Sequence, residues 1–192
     1  VVKALSITPD DAVQWALYYP PIIDVSPQTQ VGSSINSALM AYRQGDITEA
    51  LAKLDQVPAS IQDIIQHHIL KSGLLLTTGR LDEAQPLIDH VLQQQPNNSE
   101  ALALQSIIAV TKNQQDYALN WAKKAVSNNP GSAVAQIAQS YAQQALFNLD
   151  DALKSAQEAT RISPENALAW ARVAELQLSQ GDHAAALASA QK

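Results

Sequence analysis

The chain has 192 residues, a net charge of −6 and no cysteine. Without cysteine there are no disulfides and no thiolate chemistry, and the twelve Lys and Arg are scattered rather than gathered into the basic stripe of a nucleic-acid binder. No apolar run approaches the ~18 residues that cross a bilayer. Much of the 46% hydrophobic content is alanine, and there is one Phe, a composition suited to closely packed helices.

Residues 1–30 stand apart from the rest of the chain. Residues 1–7 read as a short extended segment. Thr8 then caps a helix, with Pro9 at its first position and Asp10 and Asp11 in its first turn. Residues 12–19 make about two turns before Pro20 and Pro21 end them. Trp15, Tyr18 and Tyr19 form a dense aromatic cluster for so aromatic-poor a chain. Three uses fit them: a cap on the first unit of the following array, a segment lying in a groove, or an arm that pairs residues 1–7 with a second copy and makes a homodimer.

From residue 31 onward the chain repeats. Ala50, Ala84, Ala118, Ala152 and Ala186 recur every 34 residues, and a fixed period in this range marks a stacked helical array. Twelve residues before each alanine lies a small residue: Ala38, Ser72, Ser106, Ser140 and Ala174. These two columns meet where antiparallel helices cross at about 8–10 Å. Five residues before the alanine come Gly45, Gly79, Asn113 and Gly181, which tolerate the left-handed backbone at a helix end; Phe147 breaks that column. Seven residues after it come Val57, Val91, Ala125 and Ala159. Pro96, Pro130 and Pro164 follow the second helix of three units and stop it. Asp46, Asp82, Asp116, Asp150 and Asp182 suit the starts of the second helices. Units begin near Val31, Ile65, Ser99, Ala133 and Ala167.

With these columns in place the chain resembles a tetratricopeptide repeat protein. The best matching unit is residues 166–192, with Trp170, Ala174, the Gly181–Asp182 turn and Ala186. The resemblance implies an all-α fold, a right-handed superhelical α-solenoid of antiparallel helix pairs. Five units would fill residues 31–192, the last incomplete. There are departures: Ser34, His68 and Gln136 replace the large apolar residue early in the first helix. Lys71, Gln105 and Gln139 replace a leucine three residues later. Gln62 stands where the first unit would carry its terminal proline, with Pro58 arriving four residues early, and Pro86 falls near the start of its helix. Residues 11–21, DAVQWALYYPP, are similar to the stretch before the repeats in bacterial envelope proteins that pair a FecR-type domain with tetratricopeptide repeats. That likeness implies a missing N-terminal domain, export, and a periplasmic or cell-envelope setting in place of the cytoplasmic alternative. The first residue is not Met, no basic-then-apolar leader is present, and the chain stops inside the second helix of its fifth unit, before a closing helix. A piece of a longer protein is therefore expected, with the face of residues 186–190 left partly open.

The family resemblance also implies where a partner would lie. First helices line the concave face, and a partner peptide or helix occupies it. The register places Ile35, Leu39, Tyr42 and Arg43 outward in the first unit, and Ile69, Gly73, Leu76 and Thr77 in the second. Ala103, Ile107, Val110 and Thr111 follow in the third, Ile137, Tyr141, Gln144 and Ala145 in the fourth, and Ala171, Glu175 and Leu178 in the fifth. An open apolar stripe of that length exceeds what soluble monomers expose, so a peptide, a partner helix or the N-terminal segment should cover it. The alternative register turns these residues into packing between units. Chaperone-tail clamps of the family need Lys and Asn where this chain has Ile35, Leu39, Ile69 and Gly73, which argues against that role.

Catalytic constellations are missing. His67, His68, His90 and His183 are the only histidines; the adjacent pair point about 100° apart on a helix and cannot chelate one ion together. No glycine loop cradles a phosphate. The expected function is therefore a non-catalytic scaffold that binds a protein or peptide in the groove, without cofactor, metal, nucleic acid or membrane insertion. The alternative is a structural spacer that self-associates through its N-terminal aromatic segment.

Overall fold

The computed structural model describes residues 33–56 and 61–192. The N-terminal segment with Trp15, Tyr18 and Tyr19, and Val57 and Pro58 of the first unit, lie outside the described residues. Ten helices, and no strand, occur among the described ones: α1 (Ser33–Arg43), α2 (Ile47–Asp55), α3 (Ile61–Thr77), α4 (Leu81–Gln94), α5 (Ser99–Thr111), α6 (Gln115–Asn128), α7 (Ala133–Ala145), α8 (Leu149–Ile162), α9 (Ala167–Ser179) and α10 (His183–Ala190). Each odd-numbered helix packs on the next to make a pair, and successive pairs stack into an α-solenoid.

Caps set the helix starts. Asn98, Ser132 and Asn166 precede α5, α7 and α9, and their side-chain oxygens accept from the N–H groups of Ala101, Ala135 and Ala169 at 2.9, 3.1 and 3.2 Å. Each satisfies one of the donors a helix start leaves free. This is a further column spaced by 34 residues. Asp46 and Asp182 cap α2 and α10 in the same way. Asp82, Asp116 and Asp150 instead sit inside the first turns of α4, α6 and α8, where a carboxylate acts on the helix dipole.

The helix ends follow the proline column. The N–H groups of Gln95, Asn129 and Ser163 bond to the carbonyls of Val91, Ala125 and Ala159, and Pro96, Pro130 and Pro164 come next. Where Gln62 replaces that proline, nothing prevents an earlier start. α3 accordingly begins at Ile61 and runs 17 residues. Pro86 lies inside α4, beyond its first turn.

The turns between paired helices repeat one geometry. Gly45, Gly79 and Gly181 have φ of 83°, 73° and 84°, Asn113 has 55°, and Phe147, the residue that breaks the column, has 61°. The backbone at Phe147 is left-handed like the rest, although a Cβ there costs roughly 1–2 kcal/mol. Its ring is 86% exposed, so little burial offsets the strain. Phe147→Gly should therefore raise stability by about 1 kcal/mol, read as a higher denaturant midpoint at unchanged slope. A lower midpoint would show that the ring has a partner within the fold.

Packing within pairs rests on the small residues. Ala50, Ala84, Ala118 and Ala152 are 0% exposed and Ala186, in the last pair, 7%. Ala118 contacts a cluster of further alanines, Ala109, Ala122 and Ala142. Ser106 lies across from it and donates its hydroxyl to the Ala118 carbonyl at 2.8 Å, so a small polar side chain is buried with its bond satisfied. Between pairs a continuous apolar core runs from Ile35 through Leu74, Leu102, Ile107 and Ile137 to Ala169.

Candidate functional site

Packing between first helices decides what the expected groove exposes. α5 and α7 lie directly against each other. The residues placed outward by the register are thereby largely internal: Ile35, Leu39, Ile69, Leu76, Ile107, Ile137 and Tyr141 are all buried in the core. The expectation of a long open apolar stripe is corrected accordingly. Tyr42 and Val110 are half-buried, and burial pushes the Tyr42 phenol pKa up. Arg43 and Glu175 are exposed. Ala171, Glu175 and Leu178 occupy the same three places on α9 and are all open, with Leu178 56% exposed.

One polar cluster stands on this face, and it is centred on a residue the register did not single out. Arg172, on α9, has a side chain that is 0% exposed. Its Nε donates to Ser140 Oγ at 3.0 Å, and Nη2 donates to the Ser140 carbonyl at 3.3 Å and to Gln144 Oε1 at 2.7 Å. Nη1 donates to Glu175 Oε2 at 2.8 Å. The guanidinium carbon lies 3.9 Å from the centre of the Tyr141 ring, within cation–π range. Thus α9 reaches back onto α7 with every bond charge-assisted. The Glu175 side chain remains 53% exposed, its carboxylate aimed by a fixed arginine.

The cluster differs from the other charges. In the five remaining ion pairs among the described residues neither member is fully buried, and such pairs contribute about 0–1 kcal/mol each. The Lys123–Lys124 pair is on the exposed side of α6, with the Lys124 ammonium 4.6 Å from the Trp121 ring centre. Signals for the cluster were present in the sequence. Asn36, Leu70, Leu104, Ala138 and Arg172 form a column spaced by 34 residues, and Arg172 alone brings a charge to it. Ser140 belongs to the small column, yet it accepts from the following pair while Ser106 donates within its own.

Among the described residues no group of three or more His, Asp or Glu is arranged to hold a metal ion. No helix there is long and apolar enough to cross a membrane. An open hollow of about 400 Å³ lies at the α7–α8 turn, lined by Phe147, Asn148, Leu149, Asp150, Asp151 and Lys154.

Helix pairs stacked in this way define a helical-repeat protein. The sequence profile of the tetratricopeptide repeat family matches residues 74–133 and 137–192. That is more than half of the chain, and the chain belongs to the tetratricopeptide repeat family. Members are typically non-catalytic scaffolds for protein–protein contact. Among solved structures, TTC0263, a thermophilic tetratricopeptide repeat protein of Thermus thermophilus, superposes with a TM-score of 0.71 at 18% identity, over 81% of this chain and 86% of that one. MamA from Desulfovibrio magneticus RS-1 gives 0.51 at 21% identity, over 83% and 92%. At these identities the likeness is one of fold. No curated protein sequence matches the chain.

Proposed function

We propose that this chain is a protein-binding module whose partner segment lies along the first helices and is anchored at the α7–α9 cluster. The observation that carries the reading is the buried Arg172. Taking a guanidinium out of water costs several kcal/mol, so its return must come from fixed geometry. What it fixes is Glu175 and the Tyr141 ring. Ala171 and Leu178 flank Glu175 at one-turn spacing on the exposed side of α9. Together they offer a carboxylate bordered by apolar surface. A segment that presents one basic or N–H donor side chain beside an apolar one fits that arrangement. An envelope setting is part of the same proposal and rests on the likeness of residues 11–21.

A peptide array probed with the whole chain provides the test. Glu175→Lys and Leu178→Asp should each weaken the selected peptides roughly tenfold or more, equivalent to about 1.4 kcal/mol, with helical content unchanged. Lys123→Glu, on α6, should change nothing. The reading fails if both α9 variants retain every wild-type peptide at wild-type affinity.

A further inference from the structure

Three imidazoles meet near the junction of the first two helical pairs. The His68 ring, on α3, lies edge-on to His67 on the same helix, with centroids 5.5 Å apart, and to His90 on α4, at 5.0 Å. His68 Nδ1 is buried and has no hydrogen-bond partner. His67 Nε2 bonds across the junction to the carbonyl of Leu54, in the last turn of α2, at 2.7 Å. One turn on, Lys71 Nζ bonds across the same junction to Asp55 Oδ1 at 2.6 Å. Among the described residues α2 meets α3 over far less surface than α6 meets α7 or α8 meets α9. These two polar ties supplement the apolar core in which Leu51 and Leu54 join Ile69 and Leu70.

We propose that His68 is a proton-operated joint: adding a proton to its ring pushes away His67 and Lys71, the two side chains that tie α3 to α2, and frees the first helical pair to swing. The charged groups around the ring all oppose a new cation or are already engaged. His67 and Lys71 approach it from α3 and His90 from α4. The Asp55 carboxylate on α2 is held by Lys71, and Glu83 on α4 is held by Arg80 at 2.6 and 2.7 Å. An orphaned nitrogen inside the fold is also the atom that would take the proton, with no acceptor for it to point at.

Burial, then His67, His90 and Lys71, hold the His68 pKa down to about 4 from the ordinary 6.5. The closed joint therefore favours the neutral ring. That preference contributes fully above pH 6.5 and is lost as the pH falls from there toward 4. At pH 5 carboxylates are still largely ionised, so an opening seen there belongs to the imidazole cluster, and its loss in His68→Phe assigns it to His68.

The absence of cysteine allows two spin labels to be placed without other changes, at Thr48→Cys on α2 and Lys123→Cys on α6 of the full chain. A narrow distance distribution is expected at pH 7.5. At pH 5.0 the displaced population should rise roughly tenfold. His68→Phe should keep the narrow distribution at both values. The proposal is overturned if the wild-type distribution is the same at pH 7.5 and 5.0, or if His68→Phe broadens as the wild type does. Should His68→Phe not fold, the NMR titration of the wild-type ring decides. A midpoint well below 6.5 supports the joint, and an ordinary midpoint overturns it. No partner enters either measurement, so the outcome is independent of where a peptide binds.

Discussion

Arg172→Ala is expected to lower stability by about 3 kcal/mol, which at this chain length means roughly 6–12 °C in Tm. The loss has three sources. The Ser140 hydroxyl and Gln144 Oε1 lose their donor, at about 1–3 kcal/mol for a buried group left unpaired, and the Ser140 carbonyl loses a second donor. The ring of Tyr141 loses its cation. A cavity opens where a long side chain was wholly enclosed. Relief of the guanidinium's own desolvation offsets part of this, and Arg172→Met separates the terms. Methionine fills most of the space but brings no donor, so it should recover the cavity part of the loss and leave the part due to unpaired oxygens, costing less than alanine but still about 1–2 kcal/mol. Because a repeat array sums unit and interface terms, the deficit should show as faster amide exchange in α9 and α10 before the rest of the chain. A loss below 1 kcal/mol for Arg172→Ala would show that the cluster adds little to the α7–α9 contact.

Ala118→Leu should cost about 1–3 kcal/mol, toward the upper end. Ala118 is 0% exposed in a cluster with Ala109, Ala122 and Ala142, with Val110, Leu119 and Trp121 packed against it and the Ser106 hydroxyl bonded to its carbonyl. The alanines have no side-chain torsion to turn aside, so much of the added volume must be met by separating the helices. Ala186→Leu, at the slightly exposed end of the column, should cost clearly less. Chemical denaturation of the two variants side by side checks both the size and the order. Equal costs would mean that the column does not mark the helix crossing.

The repeat was legible because its constraints are local and recur. An alanine at a helix crossing, a glycine at a left-handed turn and a proline after a helix each answer to one backbone need. Thirty-four-residue spacing superimposes those needs. Asn98, Ser132 and Asn166 were equally readable as caps, on the same spacing. Pro86 and the early start of α3 concern helix boundaries, where one missing proline changes the outcome.

The binding face was harder to read, for a physical reason. α5 has buried residues on nearly every side, so its apolar pattern gives no direction, and a face assigned by register alone can belong to the groove or to the next unit. At Ile107 and Ile137 the neighbouring first helix takes it. Leu39→Glu or Ile107→Glu would accordingly test folding, not binding. Arg172 escaped notice because an arginine reads as solvent-facing until its partners are known. Those partners, Ser140 and Gln144, come from the preceding unit, 32 and 28 residues away.

The turn at Phe147 bears on what a unit of this chain is. Its φ of 61° matches turns made by glycine and asparagine, although phenylalanine alone would not choose it. The conformation is closed by the turn's own bonds: the Phe147 N–H donates to the Gln144 carbonyl and the Asn148 N–H to the Gln143 carbonyl, as those of Gly45 and Asp46 do to Tyr42 and Ala41 in the first pair. A unit of this chain is thus defined by the hydrogen-bonded path of its turn and not by the residue at the tip, and that tip can carry a large side chain into solvent without altering the path.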